Sequence, residues 1–192
     1  MRYYILLGPP GAGKGTQAKV ISEKYFLVHL STGELLRTEI SKGTELGKIA
    51  AKLINDGNFV SDEIVIKLLM NKIAAHPDAK GFLLDGFPRN ISQAEYLDKA
   101  LEEKNASVEA VISITLEDKY IYDRILHRAE IEGRKDDMSK ETIKHRIETY
   151  HEKTEPLIQY YKNQNKYLCI DGNGSIMEVK KKILEVIKPS IQ

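Results

Sequence analysis

The stretch that most constrains how this chain can fold is Gly8-Pro9-Pro10-Gly11-Ala12-Gly13-Lys14-Gly15-Thr16, set directly after the apolar run Tyr3-Tyr4-Ile5-Leu6-Leu7. A short apolar run closed by glycine reads as a buried strand, and the pattern after Thr16 reads as a helix. Glycines between the two let the backbone curl until several N–H groups point inward, a shape that cradles phosphate oxygens. The helix that follows aims the positive end of its dipole at the same place, and Lys14 adds a mobile positive charge. The alternative, a glycine-rich hairpin turn, sits poorly between a buried strand and a helical pattern. Residues 11–16 are therefore expected to form a phosphate-binding loop.

With 192 residues, of which 42% are hydrophobic, the chain can build one α/β core with one or two small insertions. Lys plus Arg number 29 against 28 for Asp plus Glu, a formal charge of +1. No broad nucleic-acid or membrane surface follows from that balance, and any positive site must be local. The single cysteine, Cys169, lies in an apolar run and is expected as a buried thiol; a disulfide framework or a thiolate metal site is excluded. No apolar run approaches the ~18 residues of a membrane span and no signal peptide is seen, so the expected location is the cytoplasm.

Apolar strand candidates recur between helical stretches, at Tyr3–Leu7, Leu27–Leu30, Gly81–Leu84, Ala110–Ile114 and Tyr167–Ile170. That alternation predicts βαβ units and a mostly parallel, doubly wound sheet. Capping patterns place helix starts at Ser31, Ser92, Thr115 and Ser175. Residues 31–74 hold three helical pieces in a row, and residues 128–138 form a short polar segment between helices; both are candidates for movable covers. A long helix after residue 138 carries Ile143, Ile147, Tyr150, Leu157 and Tyr161 near one face, with Arg146 on another side, and Pro156 is expected to kink it or break one hydrogen bond.

A second constellation is Phe82-Leu83-Leu84-Asp85-Gly86-Phe87-Pro88-Arg89, a buried strand ending in a carboxylate with an arginine just beyond. In open parallel sheets, ligands bind beyond the carboxyl ends of the strands. There Asp85 would help hold Mg²⁺ through its water shell, and Arg89 would point at a phosphate. The plainer readings are a strand-end cap for Asp85 and a solvated surface charge for Arg89. Arg37, Arg124, Arg128, Arg134 and Arg146 add positive charge on the flanking segments, and Arg124 and Arg128 share a helix face. Arginines converging on a nucleotide loop balance phosphate charge, but spacing alone does not show that these converge. The generic loop has Ser or Thr directly after its lysine. Here Gly15 intervenes and Thr16 supplies the hydroxyl, which points to small phosphoryl-transfer kinases rather than GTPases or motor ATPases.

Taken in order, these motifs resemble the adenylate kinases of the nucleoside monophosphate kinase family. They are Gly8–Thr16, Ser31-Thr32-Gly33-Glu34-Leu35-Leu36-Arg37, Val60-Ser61-Asp62-Glu63, Asp85-Gly86-Phe87-Pro88-Arg89 with Gln93, Asp123-Arg124, Gly133-Arg134-Lys135-Asp136-Asp137, and Arg146. The resemblance covers essentially residues 1–188. It implies a single three-layer α/β phosphate-loop domain over 1–192 with a mostly parallel five-stranded central sheet, an AMP-binding helical cover at about 31–60 and a short lid at about 128–138. It implies the reaction ATP + AMP ⇌ 2 ADP with Mg²⁺, and a monomer acting on ATP, AMP and ADP with no nucleic-acid or membrane partner. ATP would be held by Gly11, Ala12, Gly13, Lys14, Gly15, Thr16, Arg124, Arg128 and Gly174. AMP would be held by Thr32, Arg37, Asn58, Phe59, Val60, Gly86, Phe87, Pro88, Arg89, Gln93, Arg134 and Arg146, with Gln93 presenting its amide to the adenine edge. The catalytic set would be Lys14, Asp85, Arg89, Arg124, Arg134 and Arg146, with Mg²⁺ carried by the nucleotide and waters near Thr16 and Asp85.

The sequence departs from the family pattern at a few places. Glu34 replaces an Asp frequent in bacterial members, and Ser61 replaces a Pro. The lid is the short type, without the insert that carries a four-cysteine zinc site, so no zinc is expected. Asn90 stands where many adenylate kinases have Thr; Asn also occurs there in UMP/CMP kinases, the nearest rival reading, whereas Thr32 favours adenine because those relatives usually have Ala. A nucleotide-dependent switch is the alternative of a different class, and it would need effector-sensing segments in place of a second arginine-lined phosphate site.

Overall fold

The structure is a computed structural model that describes residues 1–56, 58–133 and 139–187. Its elements run β1 (Arg2–Leu7), α1 (Lys14–Tyr25), β2 (Val28–Ser31), α2 (Thr32–Ser41), α3 (Glu45–Asn55), α4 (Asp62–Ala74) and β3 (Gly81–Asp85), then α5 (Ile91–Glu102), β4 (Val108–Thr115), α6 (Asp118–Glu132) and α7 (Lys140–Thr149), and finally α8 (Pro156–Asn163), β5 (Tyr167–Asp171) and α9 (Ile176–Ile187).

From Tyr3 to Leu7 every residue of β1 is buried. A strand apolar on both faces has to lie inside a sheet covered by helices on both sides. The five strands line up in the order β2-β3-β1-β4-β5, and all four pairings are parallel. Alternation along β1 splits the core in two. Tyr3, Ile5 and Leu7 face Leu69 of α4, Leu97 of α5 and Leu157 of α8. Tyr4 and Leu6 face Ala18 and Ile21 of α1 and Val179 and Ile183 of α9. A three-layer α/β fold results. Because the strands are parallel, their carboxyl ends lie together: Asp85 is level with Leu6 and with Ser31, and Thr115 with Asp171.

The helix starts at Ser31 and Ser175 are as expected. Ser175 forms both halves of a capping box, its Oγ accepting from the Glu178 N–H at 3.3 Å while Glu178 Oε2 accepts from the Ser175 N–H at 2.7 Å. The other two shift. Asn90, not Ser92, caps α5, its Oδ1 accepting from the Gln93 N–H at 2.8 Å. Thr115 ends β4 instead, and α6 starts at Asp118 with no side-chain cap.

Cys169 is exposed rather than buried, because β5 lies at the sheet edge, where one face of the strand looks outward. The long helix after residue 138 is broken. A five-residue π-turn, Tyr150–Thr154, separates α7 from α8. Pro156 takes the first position of α8, directly after the turn that interrupts the α-helical hydrogen bonding, where its missing N–H leaves nothing unpaired, in line with a proline that breaks one hydrogen bond of the helix. Residues 128–132, expected in a hinge-like lid, continue α6, which ends at Gly133 in the left-handed region at φ 62°. Arg134 and the rest of the expected lid lie outside the described residues.

Candidate active site

One cavity of about 1010 Å³ opens at the carboxyl ends of the strands. Its floor is the loop between β1 and α1. Gly13, at φ 84°, is the N-cap of α1 in a left-handed conformation that a side chain would strain. No side chain caps this helix and its first turn holds no acid. Its leading N–H groups and the positive end of its dipole therefore face an incoming anion. Lys14 folds over the loop, its Nζ donating to the carbonyls of Gly8 at 2.7 Å and Pro9 at 2.9 Å. Burial pushes the ammonium down to about 8, against the pull of Asp85, and the charges of Arg89 and Arg128 push it the same way. An ammonium stripped of water among other cations is poised to gain from any phosphate that arrives.

Asp85 closes β3 beneath this lysine. Burial alone would raise its carboxyl, but the hydrogen bond from His29 and the charges of Lys14 and Arg89 outweigh it and hold it below the usual carboxylate range. His29 Nε2 lies 3.4 Å from Asp85 Oδ2. The carboxylate is thus kept ionised inside a largely cationic cleft.

Arg89 follows three residues after Gly86. Its Nε donates to the Gly86 carbonyl at 2.8 Å, and its guanidinium lies 5.0 Å from the centre of the Phe59 ring. Burial lowers it to about 10; Asp85 opposes the shift, and the nearby charges of Arg146 and Arg37 add to it. Arg37, Arg89 and Arg146 therefore converge, which spacing alone had left open. Gly86 makes the convergence sterically feasible. It sits at φ +75°, and a Cβ there would come within 2.9 Å of Thr32 Oγ1 and 3.1 Å of Arg89 Nη2. Thr32 Oγ1 also donates to the Gly86 carbonyl at 2.7 Å, tying the start of α2 to the end of β3. On the other side, Arg124 Nη2 donates to the Gly172 carbonyl at 3.2 Å, joining α6 to the loop after β5.

The expected site residues are brought together almost completely. Gly11, Ala12, Gly13, Lys14, Gly15, Thr16, Arg124, Arg128 and Gly174 line the cavity, as do Thr32, Arg37, Asn58, Phe59, Val60, Asp85, Gly86, Pro88, Arg89, Gln93 and Arg146. Phe87 differs: its ring is 1% exposed and packs in the core. Arg134 lies outside the described residues.

Sequence reasoning missed three contributors. His29 supports Asp85, and Thr154 of the π-turn donates through Oγ1 to the Arg89 carbonyl at 2.8 Å. Asp62 accepts from Gln93 Nε2 at 2.6 Å and from Asn90 Nδ2 at 3.2 and 3.1 Å. Only Asp62 left a trace in the sequence, since it belongs to the Val60-Ser61-Asp62-Glu63 motif, but nothing local indicated what it touches.

Sheet, glycine loop and arginine-lined cavity define a phosphate-loop protein. A sequence model of the family described as "Adenylate kinase" matches residues 6–166. Similar proteins include the adenylate kinase of Flavobacterium johnsoniae, 45% identical over 183 residues that make up 95% of this chain and 96% of that one. The adenylate kinase of Prochlorococcus marinus is 47% identical over 176 residues, 91% of each chain. That of Azobacteroides pseudotrichonymphae is 44% identical over 182 residues, 95% of each. The chain belongs to the adenylate kinase family.

Proposed function

We propose that this cleft transfers a phosphoryl group reversibly between ATP and AMP, giving two ADP. The observation that carries the proposal is that Arg37, Arg89 and Arg146 line one cavity together with the Lys14 loop and Asp85. A switch needs one phosphate site; a transfer between two nucleotides needs two.

The reaction requires no nucleophile from the protein. An oxygen of the AMP phosphate forms a bond to the γ-phosphorus of ATP as the bond from that phosphorus to the β-phosphate oxygen breaks. Both electrons of the broken bond stay on the departing ADP. The loop N–H groups and Lys14 hold the donor phosphates, and Arg124 and Arg128 flank them. Arg37, Arg89 and Arg146 hold the acceptor phosphate and take up charge as it spreads over the equatorial oxygens. Arg134 keeps the role that the family resemblance implies, delivery of positive charge by a lid that excludes water; the cover at 31–60 would close from the acceptor side.

Asp85 and the Thr16 hydroxyl offer hard oxygen donors, and the ionised state of Asp85 suits Mg²⁺ that arrives with ATP and keeps most of its waters. That ion would neutralise charge on the donor phosphates. Among the described residues no group of three or more His, Cys, Asp or Glu side chains could hold a metal by itself. No helix among them is long and apolar enough to cross a membrane. Both substrates would bind within one chain, which supports a monomer.

Asn90 bears on the acceptor base. Its amide is engaged by Asp62 and by the Gln93 N–H, so it is not free to read a pyrimidine, whereas Thr32 and Gln93 line the cavity. With ATP–Mg²⁺ as donor, AMP is expected to exceed CMP, UMP and GMP in kcat/KM by at least about a hundredfold. Comparable turnover of CMP or UMP in a coupled ADP assay would overturn the assignment.

A further inference from the structure

We propose that Asp62 sets which purine edge the acceptor pocket reads, by holding the Gln93 amide in one orientation. The proposal rests on the reading of AMP as acceptor. Gln93 is 2% exposed and lines the cavity. Its Oε1 accepts from the Arg89 N–H at 2.7 Å, and its Nε2 donates to Asp62 Oδ1 at 2.6 Å. The chemistry of the partners dictates this orientation. A backbone N–H only donates and an ionised carboxylate only accepts. Turning the amide over would set its NH₂ against the Arg89 N–H and its carbonyl against the Asp62 carboxylate, two failed pairings in a buried place.

Asp62 is itself braced. It opens α4, and Asn90 Nδ2 donates to both of its oxygens, at 3.2 and 3.1 Å, while Asn90 Oδ1 caps α5 through the Gln93 N–H at 2.8 Å. Two helix starts, α4 and α5, thus clamp one amide from two directions. The clamp uses one N–H and one lone pair of Gln93 and leaves the other of each. A primary amide in a fixed orientation offers a donor and an acceptor in a fixed order. Adenine presents an acceptor at N1 beside a donor at N6. A 6-oxopurine presents the reverse, a donor at N1 beside an acceptor at O6. An amide free to turn over serves either edge, and a locked amide serves one. Asp62 therefore selects the base without touching it, as a positioning residue.

The test is the isosteric Asp62→Asn, with Asp62→Ala alongside, assayed with AMP and IMP as acceptors and ATP–Mg²⁺ as donor. The replaced side chain no longer enforces a donor at Gln93 Nε2, so of the two pairings that oppose a reversed amide only the one to the Arg89 N–H remains. The expected result is a rise of about tenfold in KM for AMP and a fall of about tenfold in the preference for AMP over IMP. KM for ATP should stay within about twofold and kcat with AMP within about threefold, a pattern that general loosening of the fold would not produce. Preference for AMP over IMP unchanged within about twofold in both variants overturns the proposal. Should neither variant fold, the native protein decides by NMR: the Gln93 side-chain amide is expected to resonate outside the range of exposed glutamine amides and to exchange slowly with solvent, and the shifts and exchange rate of a free glutamine amide overturn the proposal. If the native enzyme itself phosphorylates IMP as well as AMP, the AMP reading fails first, whatever the variants do.

Discussion

Lys14 has opposed roles in stability and in turnover. In the unfolded chain its ammonium persists up to about 10.5, and in the folded protein burial confines it to below about 8. Between those values the unfolded state binds the extra proton, so this group makes the ligand-free protein more stable as pH rises through the window. Lys14→Met should remove that contribution, and urea-unfolding free energies of the two proteins should converge or cross as pH rises from about 8 to 10.5. Curves that stay parallel would mean the lysine is not desolvated. The same substitution should lower the maximal rate by about a hundredfold or more and leave AMP binding within a few-fold, because the charge is needed where negative charge shifts during transfer. A near-native maximal rate with only a raised ATP requirement would reduce Lys14 to a ground-state binder.

Where elements meet, small polar clusters set geometry that no single helix determines. His151 in the π-turn lies 2.9 Å from Glu155 and 3.0 Å from Asp118 at the start of α6. The hydrogen bond to Glu155 is the main cause that raises its pKa above the ordinary 6.5; partial burial opposes it, and Asp118 adds to it. A raised histidine contributes stability that is complete below 6.5 and is lost as pH climbs through the folded value. The side chain is 40% exposed, so the contribution is under about 1 kcal/mol. His151→Gln should flatten the pH dependence of Tm above about 6.5 while leaving the midpoint at higher pH nearly unchanged; an equally steep dependence would remove the cluster from the account.

What the chain revealed before its structure follows the same divide. Signals held within a few residues were readable: the Gly13-Lys14 loop, the capping box of Ser175 and Glu178, and the buried run of β1. Signals needing a partner far along the chain were not. Asp62 meets Gln93 across 31 positions and Thr154 meets Arg89 across 65. Cys169 was misplaced because an apolar run does not say whether its strand is central or at an edge. Asn90 displaced Ser92 as a cap because both residue types cap well and the loop geometry after Pro88 chose between them.

At the scale of the whole molecule, a metal carried in by the nucleotide, as proposed, would belong to the substrate and not to the fold. A chelator should stop turnover, added Mg²⁺ should restore it without a lag, and Tm of the nucleotide-free protein should not respond to the chelator. Elemental analysis should find no stoichiometric zinc; one tightly held zinc per chain would contradict the short-lid reading. The sheet order carries a different consequence, for synthesis. β1 is made first yet occupies the centre, between β3 and β4. Its neighbours begin at Gly81 and Val108, so one edge has no partner until β3 is made and the other stays unpaired until more than half of the chain has left the ribosome. Such long-range parallel pairing is slow and leaves apolar strand edges open to other chains. The strand that positions the phosphate loop is therefore also a liability of the nascent protein, and a chaperone that shields the first hundred or so residues would act on the segment that later binds the nucleotide.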